Sequence, residues 1–226
     1  REMARIRSAT GGSVAFGASP GVAVGWLPAA LDRLAHRHRD LNLTVVENVS
    51  ESLVDQVIER RIDFAVCTAP LDRSADLTVD HLGRDPFVVA AHRNHPLLER
   101  APVPLAATLE FPWIMATFRG AVRHWVETRF EAAGLPAPPA RIETSSMMML
   151  KLVLADARHL SYLPARLIAP DCPDIVALPC EPSMVLQRDL ALIRISQRAL
   201  SPASEQVIAV LRETIAALPP LRISGL

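Results

Sequence analysis

The chain has 226 residues, with 24 lysines and arginines balanced by 24 aspartates and glutamates, and half of its residues are apolar. This length allows one large domain or two small ones around a substantial core. A neutral chain with interspersed charges does not predict a DNA-binding face, and its apolar runs are far shorter than the roughly 18 residues of a membrane helix.

The ends and the cysteines bear on the cellular compartment. The first residues, REMARIRSATGG, have no apolar signal-peptide core, and the chain begins at Arg1, so we expect a cytoplasmic protein and a fragment of a longer one. The three cysteines, Cys67, Cys172 and Cys180, show no C-x-x-C spacing. We therefore expect reduced structural thiols, without a zinc site or a disulfide framework.

The first third of the chain alternates strand and helix patterns. Short apolar runs predict strands at 14–16, 43–47 and 62–67, and apolar residues at helical spacing predict a helix at 26–39. A second helix begins near Ser50 or Ser52, where Ser52-x-x-Asp55 matches a capping box. The β-α-β-α-β order over about 55 residues predicts a doubly wound α/β unit with a parallel sheet.

The rest of the chain reads as a second α/β block. A Pro-rich connector at 92–104 follows a strand at 87–91, and further strands are predicted at 112–116, 159–163, 175–178 and 190–195. Helices are predicted around 122–130 and at 147–155, with Gly134 and Pro136 ending the first of them. Ser201 followed by Pro202 predicts the start of a last helix. The order predicts two α/β lobes, with the last strand and helix returning to the first lobe.

Gly17-Ala18-Ser19-Pro20-Gly21 has the G-x-S-x-G pattern of a hydrolase nucleophile elbow. The oxyanion hole of that motif uses the backbone N–H that follows the serine, and Pro20 has none. We therefore expect no hydrolase activity. Ser19 instead lies at the end of a strand, where its hydroxyl can bind an anionic or polar ligand, and Ser50 is placed equivalently after the second strand. The alternative is that both serines only cap helices.

Other chemically interesting residues carry weaker signals. The histidines at 36, 38, 92 and 95 lack the spacing of metal ligands. Arg119 and Gly120 precede a helix and bring a cation and free N–H groups to one place, unless Arg119 is simply a surface residue. The SMMML stretch at 146–150 lines either an adaptable pocket or the core.

Several stretches, in this order and spacing, resemble the effector-binding domain of LysR-type transcriptional regulators. They are GGSVAFGASPGVAVGWLPAAL, LTVVENVSESLVDQVIERRIDFAV, HRNHPL, FEAAGLPAPPARIETSS and RDLALIRISQRALSPASEQVIAVLRETI, within residues 11–218. Two departures are Arg60 or Arg61 in place of a usual glycine, and LVLADARHLSYLP in place of a glycine-containing stretch. The acidic residue at this point of the stretch, Asp156, resembles the pattern of one branch of the family, which includes galactose-binding-protein and protocatechuate-pathway regulators.

The resemblance implies two Rossmann-like α/β lobes of the periplasmic-binding-protein type, joined by crossovers near His92–Arg93 and Arg188–Leu190. Residues 1–11 would be a residual linker, 12–92 with 190–226 the first lobe, and 93–189 the second. It also implies a winged helix-turn-helix domain before this chain that binds promoter DNA. Two subunits would form a dimer in which helix 26–39 of one subunit packs against helix 121–133 of the other. The full-length protein would form tetramers.

By the same resemblance, a small inducer binds between the lobes without a cofactor or catalysis. The implied ligand-binding residues are Ser19, Pro20, Ser50, Glu51, Cys67 and Thr68 in the first lobe, and Phe118, Arg119, Gly120, Ser145, Ser146 and Met147 in the second. Their donors favour a carboxylate, a sugar acid or a sugar, and Arg119 favours an anion. The alternative is a periplasmic-type solute-binding receptor for a small polar or anionic molecule, which would need a signal peptide.

Overall fold

The computed structural model describes residues 12–69, 75–116, 121–144, 146–168, 173–181 and 184–219. Within these ranges the chain forms two compact α/β units. The first comprises residues 12–84 and 189–219, and the second comprises Asp85–Arg188. The predicted crossing at His92–Arg93 is therefore corrected to Arg84–Asp85, because the strand at 87–92 pairs within the sheet of the second unit.

The first unit is built on a five-stranded sheet. Its strands are β1 (Ser13–Ala18), β2 (Asn42–Glu47), β3 (Phe64–Thr68), β4 (Leu77–Arg84) and β10 (Asp189–Ile195), in the spatial order β2-β1-β3-β10-β4. Strands β1, β2 and β3 are parallel, whereas β10 is antiparallel to both β3 and β4. The parallel strands therefore end at one edge of the sheet, where β10 begins.

Helices cover both faces of this first sheet. They are α1 (Pro20–Val24), α2 (Leu27–Arg37), α3 (Ser50–Ile58) and α6 (Pro202–Ala216). Alternate residues of a strand face opposite sides. Phe16 and Phe64 therefore stack at 5.1 Å in the cluster shared with α2 and α6, while Cys67 joins α3 in the opposite cluster. The two hydrophobic layers enclose the sheet and position its edges.

The second unit has its own five-stranded sheet. The strands are β5 (Phe87–His92), β6 (Trp113–Ala116), β7 (Ala140–Thr144), β8 (Leu160–Pro164) and β9 (Ile175–Ala177), in the order β7-β6-β8-β5-β9. Helix α4 (Ala121–Ala132) covers one face, where Phe130 meets Trp113 edge-to-face at 5.9 Å. Helix α5 (Met147–Val153) covers the other through Leu150.

Most of the predicted elements are confirmed, but the sequence did not predict β4, β7 or the short helix α1. The predicted cap of α3 was wrong, because Val49 is the N-cap residue and no side chain caps this helix. The predicted cap at Ser201 is confirmed: its side chain accepts a hydrogen bond from the Ser204 amide at 3.0 Å. Among the described helices, none combines the length and the apolar character needed to cross a bilayer.

Candidate functional site

The carboxyl ends of the parallel strands in the first unit form the candidate site. We call this surface the carboxyl edge and define it by Ser19, Asn48, Ser50, Thr68 and Asp189, the residues that end or follow β1, β2 and β3 or begin β10. Ala18 at the end of β1 is paired with Glu47 of β2 and Val66 of β3. Open α/β sheets bind ligands at this kind of edge.

Ser19 lies directly after β1 and is almost fully buried. Its backbone is extended and its hydroxyl does not cap α1. Within the described part of the chain, no hydrogen bond joins this hydroxyl to a histidine. Pro20 is the first residue of α1 and supplies no N–H. The local structure therefore positions a serine hydroxyl at the edge, with neither a histidine bonded to it among the described residues nor an N–H on the residue that follows it.

Ser50 is the first residue of α3, and Glu51 follows it as an exposed carboxylate. The Leu53 amide bonds to the Val49 carbonyl at 3.0 Å, so the helix begins at the edge. The first-turn amides of a helix have no intrahelical acceptor and attract anions. Glu51 stabilises this positive end of the helix dipole but opposes an anion there. The structure thus gives Glu51 a structural role beside its predicted ligand contact.

Cys67 and Thr68 end β3 but face differently. The Cys67 side chain is fully buried in the cluster formed with α3, whereas Thr68 is partly exposed. Of this predicted pair of ligand contacts, only Thr68 presents its side chain at the edge. The Cys67 side chain has the core position expected for a small apolar thiol, so its predicted ligand contact would be made through the backbone.

Sequence reasoning missed two parts of the carboxyl edge. The Asn48 side-chain oxygen accepts the Val49 amide at 2.9 Å, which fixes the turn before α3. Asp189 begins β10, and its carboxylate lies 3.3 Å from His81 Nε2 and 3.8 Å from Arg84 Nε. These charged residues were overlooked because β4 was not predicted. The Asp189 carbonyl also accepts the Ala69 amide at 2.9 Å, which places it beside the end of β3.

The structure describes two of the six predicted site residues of the second unit. Phe118, Arg119, Gly120 and Ser145 lie outside the described residues. Ser146 is the N-cap residue of α5, and its Oγ accepts the Met149 amide at 3.2 Å. Met147 is partly buried against the cluster of α5. Both residues follow the end of β7, and each has a structural role.

Asp85, the first residue of the second unit, is a partly buried carboxylate that the sequence did not single out. Its backbone amide donates to the Arg188 carbonyl at 2.9 Å, so the two crossings of the chain are bonded to each other. Its Oδ1 is inaccessible to solvent and accepts no hydrogen bond from another described residue. Burial raises the pKa of the Asp85 carboxyl to about 6, against the opposing effect of the Arg188 and Arg166 charges.

Metal binding is not indicated by the described part of the chain, where no three histidine, cysteine or acidic side chains come together as ligands. Cys180 is buried in the second unit, and burial raises the pKa of its thiol to about 12. It is therefore an unreactive core residue.

Known proteins similar to this chain are transcriptional regulators. The chain is 27% identical to the HTH-type transcriptional regulator CbbR of Xanthobacter flavus, over 98% of this chain and 67% of that protein. It is 25% identical to the HTH-type transcriptional regulator GalR of Pseudomonas putida, over 95% of this chain and 54% of that protein. The chain thus spans about half to two thirds of the length of these relatives.

Solved structures with the same fold include two regulatory domains. One is the regulatory domain of CcmR from Synechocystis in complex with 2-PG, with a TM-score of 0.78 at 17% identity over 92% of this chain and 99% of that one. The other is the effector binding domain of QuiR in complex with shikimate, with a TM-score of 0.74 at 16% identity over 92% and 100%. The family model of the LysR substrate binding domain matches residues 7–216. This chain therefore belongs to the LysR substrate-binding domain family.

Proposed function

We propose that this chain is the effector-sensing and dimerising part of a bacterial LysR-type transcriptional regulator. Its relatives along almost the whole chain are transcriptional regulators. The observation that carries the proposal is the carboxyl edge, where Ser19, Ser50 and Thr68 follow or end three parallel strands. A ligand that binds two conformations unequally shifts their populations, and this is how an effector would control DNA binding.

The proposed effector is a small molecule with a carboxylate or several hydroxyl groups. Two serine hydroxyls and the first-turn amides of α3 suit such groups. The residues predicted in the second unit stay proposed contacts, namely Phe118, Arg119, Gly120, Ser145, Ser146 and Met147. Among them, the Arg119 guanidinium would form a bidentate pair of hydrogen bonds with a carboxylate or phosphate.

The other partners follow from the family. A winged helix-turn-helix domain of the full-length protein would bind promoter DNA in the cytoplasm, and this chain would act without catalysis.

Two copies of the chain would form a dimer in which α2 of one copy packs against α4 of the other. The exposed Ala35 of α2 offers a test. Ala35→Glu should shift the sedimentation of the chain from dimer to monomer, whereas unchanged sedimentation would contradict this pairing.

The effector can be found by a thermal-shift screen. Shikimate and 2-PG, the molecules bound by the QuiR and CcmR domains, should be tested with galactose, galacturonate and benzoate. A ligand at 100 times its dissociation constant stabilises the folded state by about 2.7 kcal/mol, which gives a measurable shift in Tm.

Calorimetry on variants then locates the site. Ser50→Ala should weaken binding of the strongest probe by about ten-fold or more, since a hydrogen bond to a charged group contributes about 1.5–3 kcal/mol. Ser13→Ala, at the opposite edge of the same sheet, is the matched control and should bind normally. Equal affinity of Ser50→Ala and the wild type would contradict the proposed site.

A further inference from the structure

The first unit has a cavity at the edge of its sheet that lies opposite Ser19. It has a volume of about 290 Å³ and continues into a smaller one of about 50 Å³. The two share the turn after β10 and Arg194 at the end of that strand. Their common lining residues are Arg194, Arg198, Ala199 and Leu200. We call this groove the arginine groove.

Three arginines line the larger cavity, but they have few acidic partners. Arg212 Nη2 lies 3.0 Å and Arg194 Nε 3.9 Å from the same oxygen of Asp80. One carboxylate is thus shared by two guanidinium groups. Arg198 is exposed and forms no ion pair with another described residue. An anion bound beside Arg194 and Arg198 would therefore meet two incompletely neutralised cations.

Glu205 is the second acidic residue of the larger cavity. It lies in the first turn of α6, where a carboxylate stabilises the positive end of the helix dipole. With Asp80 and Glu205 counted against Arg194, Arg198 and Arg212, the larger cavity keeps an excess of one positive charge, and the third carboxylate of the groove, Asp63, lines only the smaller cavity. The electrostatics of the larger cavity therefore favour an anionic ligand over a neutral or cationic one.

The rest of the lining is apolar. Leu192 and Ile208 are buried and Leu200 is partly buried, and all three line the cavity between β10 and α6. Pockets that bind small molecules combine such apolar walls with a few polar groups, at volumes of about 300 Å³ and above. The volume of this cavity suits a compact molecule with one charged end.

From these contacts we propose that the arginine groove binds a small monocarboxylate with an apolar body. The carboxylate contacts Arg198 and Arg194, and the body lies over Leu192, Leu200 and Ile208. The groove is separate from the carboxyl edge, because β10 runs from Asp189 at that edge to Ile195 beside the groove. The two sites therefore have different residues and can be tested independently.

The test uses phenylacetate and its neutral amide, 2-phenylacetamide, followed by amide NMR shifts and calorimetry on the intact chain. Phenylacetate should shift the signals of residues 198–200 and 208, and phenylacetamide should bind at least about ten-fold more weakly. Arg198→Ala should weaken phenylacetate binding by a similar factor. Arg39→Ala, which removes another exposed arginine of the same unit, should leave it within about two-fold.

Three outcomes would overturn the proposal. They are equal binding of the acid and the amide, unchanged affinity of Arg198→Ala, and the absence of phenylacetate binding to the wild-type chain at millimolar concentration. Because Arg198 is exposed and unpaired among the described residues, its replacement should leave the Tm unchanged, so lost binding would not reflect unfolding. Shifts at residues 198–200 and 208 report the arginine groove and shifts at residues 19, 50 and 68 report the carboxyl edge, which keeps this result separate from the test of the carboxyl edge.

Discussion

The backbone amide of Ser19 donates a hydrogen bond to the carbonyl oxygen of Val66, 3.0 Å away. This bond ties the residue after β1 to the neighbouring strand β3. The Ser19 carbonyl in turn accepts the Ala23 amide at 2.9 Å and starts α1. The fold thus uses both backbone polar groups of Ser19, while its hydroxyl is not needed to cap the helix. The fold therefore depends on the backbone at position 19, and the hydroxyl stays available for the ligand contact that we propose.

Ser19→Ala is therefore expected to keep the wild-type Tm to within about 2 °C, because no capping bond is lost. The same change should weaken binding of the effector found by the thermal-shift screen, as measured by calorimetry. A large fall in Tm would show instead that the hydroxyl supports the fold.

Hydrolysis of p-nitrophenyl acetate should not depend on Ser19, since Pro20 removes an oxyanion donor. Esterase activity that Ser19→Ala abolishes would refute this reading.

Gly17, in the same G-x-S-x-G stretch, has a packing role. A Cβ at this position would lie 2.5 Å from Leu53 Cδ2 and 2.9 Å from Ile62 Cδ1. Gly17→Ala should lower the free energy of unfolding by about 1–3 kcal/mol in urea, the usual effect of overpacking. Leu53→Ala should lower it too, but the double variant should lose less than the sum, because the new methyl group fills part of the space. Strict additivity would contradict this explanation.

The sequence predicted the central strands of both sheets but only two of the four edge strands, β2 and β9. Strands β1, β3, β5 and β10 are apolar runs, buried on both faces, and such runs are visible in a sequence. The two missed strands, β4 and β7, lie at sheet edges, where exposed polar residues such as His81 and Arg141 interrupt the apolar pattern. The crossing was misplaced for the same reason, because without β4 the chain appeared to leave the first unit after β5.

The candidate site could be predicted only where it follows a visible strand. Ser19, Ser50 and Thr68 follow or end strands that the sequence showed, so their places at one edge were foreseeable. Asp189 and Arg84 come together only through the pairing of β10 with β4. That antiparallel contact joins residues distant in sequence and leaves no local signal. The burial of Cys67 likewise depends on which face of β3 meets α3.

Helix α6 gives a direct test of capping. Ser201 Oγ accepts the Ser204 amide at 3.0 Å and lies 2.9 Å from Ser204 Oγ. Ser201→Ala should reduce the free energy of unfolding by about 1 kcal/mol, and Ser201→Asp should retain most of it. Ser52→Ala, at the predicted capping box of α3, serves as the comparison and should change stability by less, since Val49 is the actual cap residue. Equal losses in chemical denaturation would contradict these cap assignments.

Tyr162 anchors the segment at 184–186 in the second unit. Its hydroxyl donates to the Met184 carbonyl at 2.8 Å and accepts the Leu186 amide at 3.0 Å. Tyr162→Phe keeps the ring against Trp125 but removes the donor to the Met184 carbonyl, whereas the Leu186 amide keeps its bond to the Phe87 carbonyl at 3.1 Å. A buried carbonyl left without its donor costs about 1–3 kcal/mol, so we expect a loss of about 1–2 kcal/mol in thermal unfolding. A loss below about 0.5 kcal/mol would mean that water replaces the hydroxyl.

Asp85 makes the stability of the second unit depend on pH. Its pKa is about 6 in the folded chain because burial disfavours the charged form, whereas an unfolded aspartate titrates near 3.9. Between roughly pH 4 and pH 6 the folded state therefore holds more protons than the unfolded state, and stability falls as the pH rises. Above about pH 6 the full cost of the buried charge is present. A shift of about two pKa units sets an upper limit of about 3 kcal/mol.

Asp85→Asn removes this buried charge and keeps nearly the same shape. The variant should be more stable than the wild type at pH 7 by about 1–2 kcal/mol, below the upper limit because the attraction of Arg188 for the carboxylate is also lost. The advantage should shrink as the pH is lowered and disappear below about pH 4, where the wild-type carboxyl is protonated in both states. Urea unfolding at a series of pH values measures this, with Asp174→Asn as a control for losing an exposed negative charge. A variant that is less stable than the wild type at pH 7 would show that the ionised Asp85 is held by its arginines, and that its burial is a net stabilising feature of the crossing.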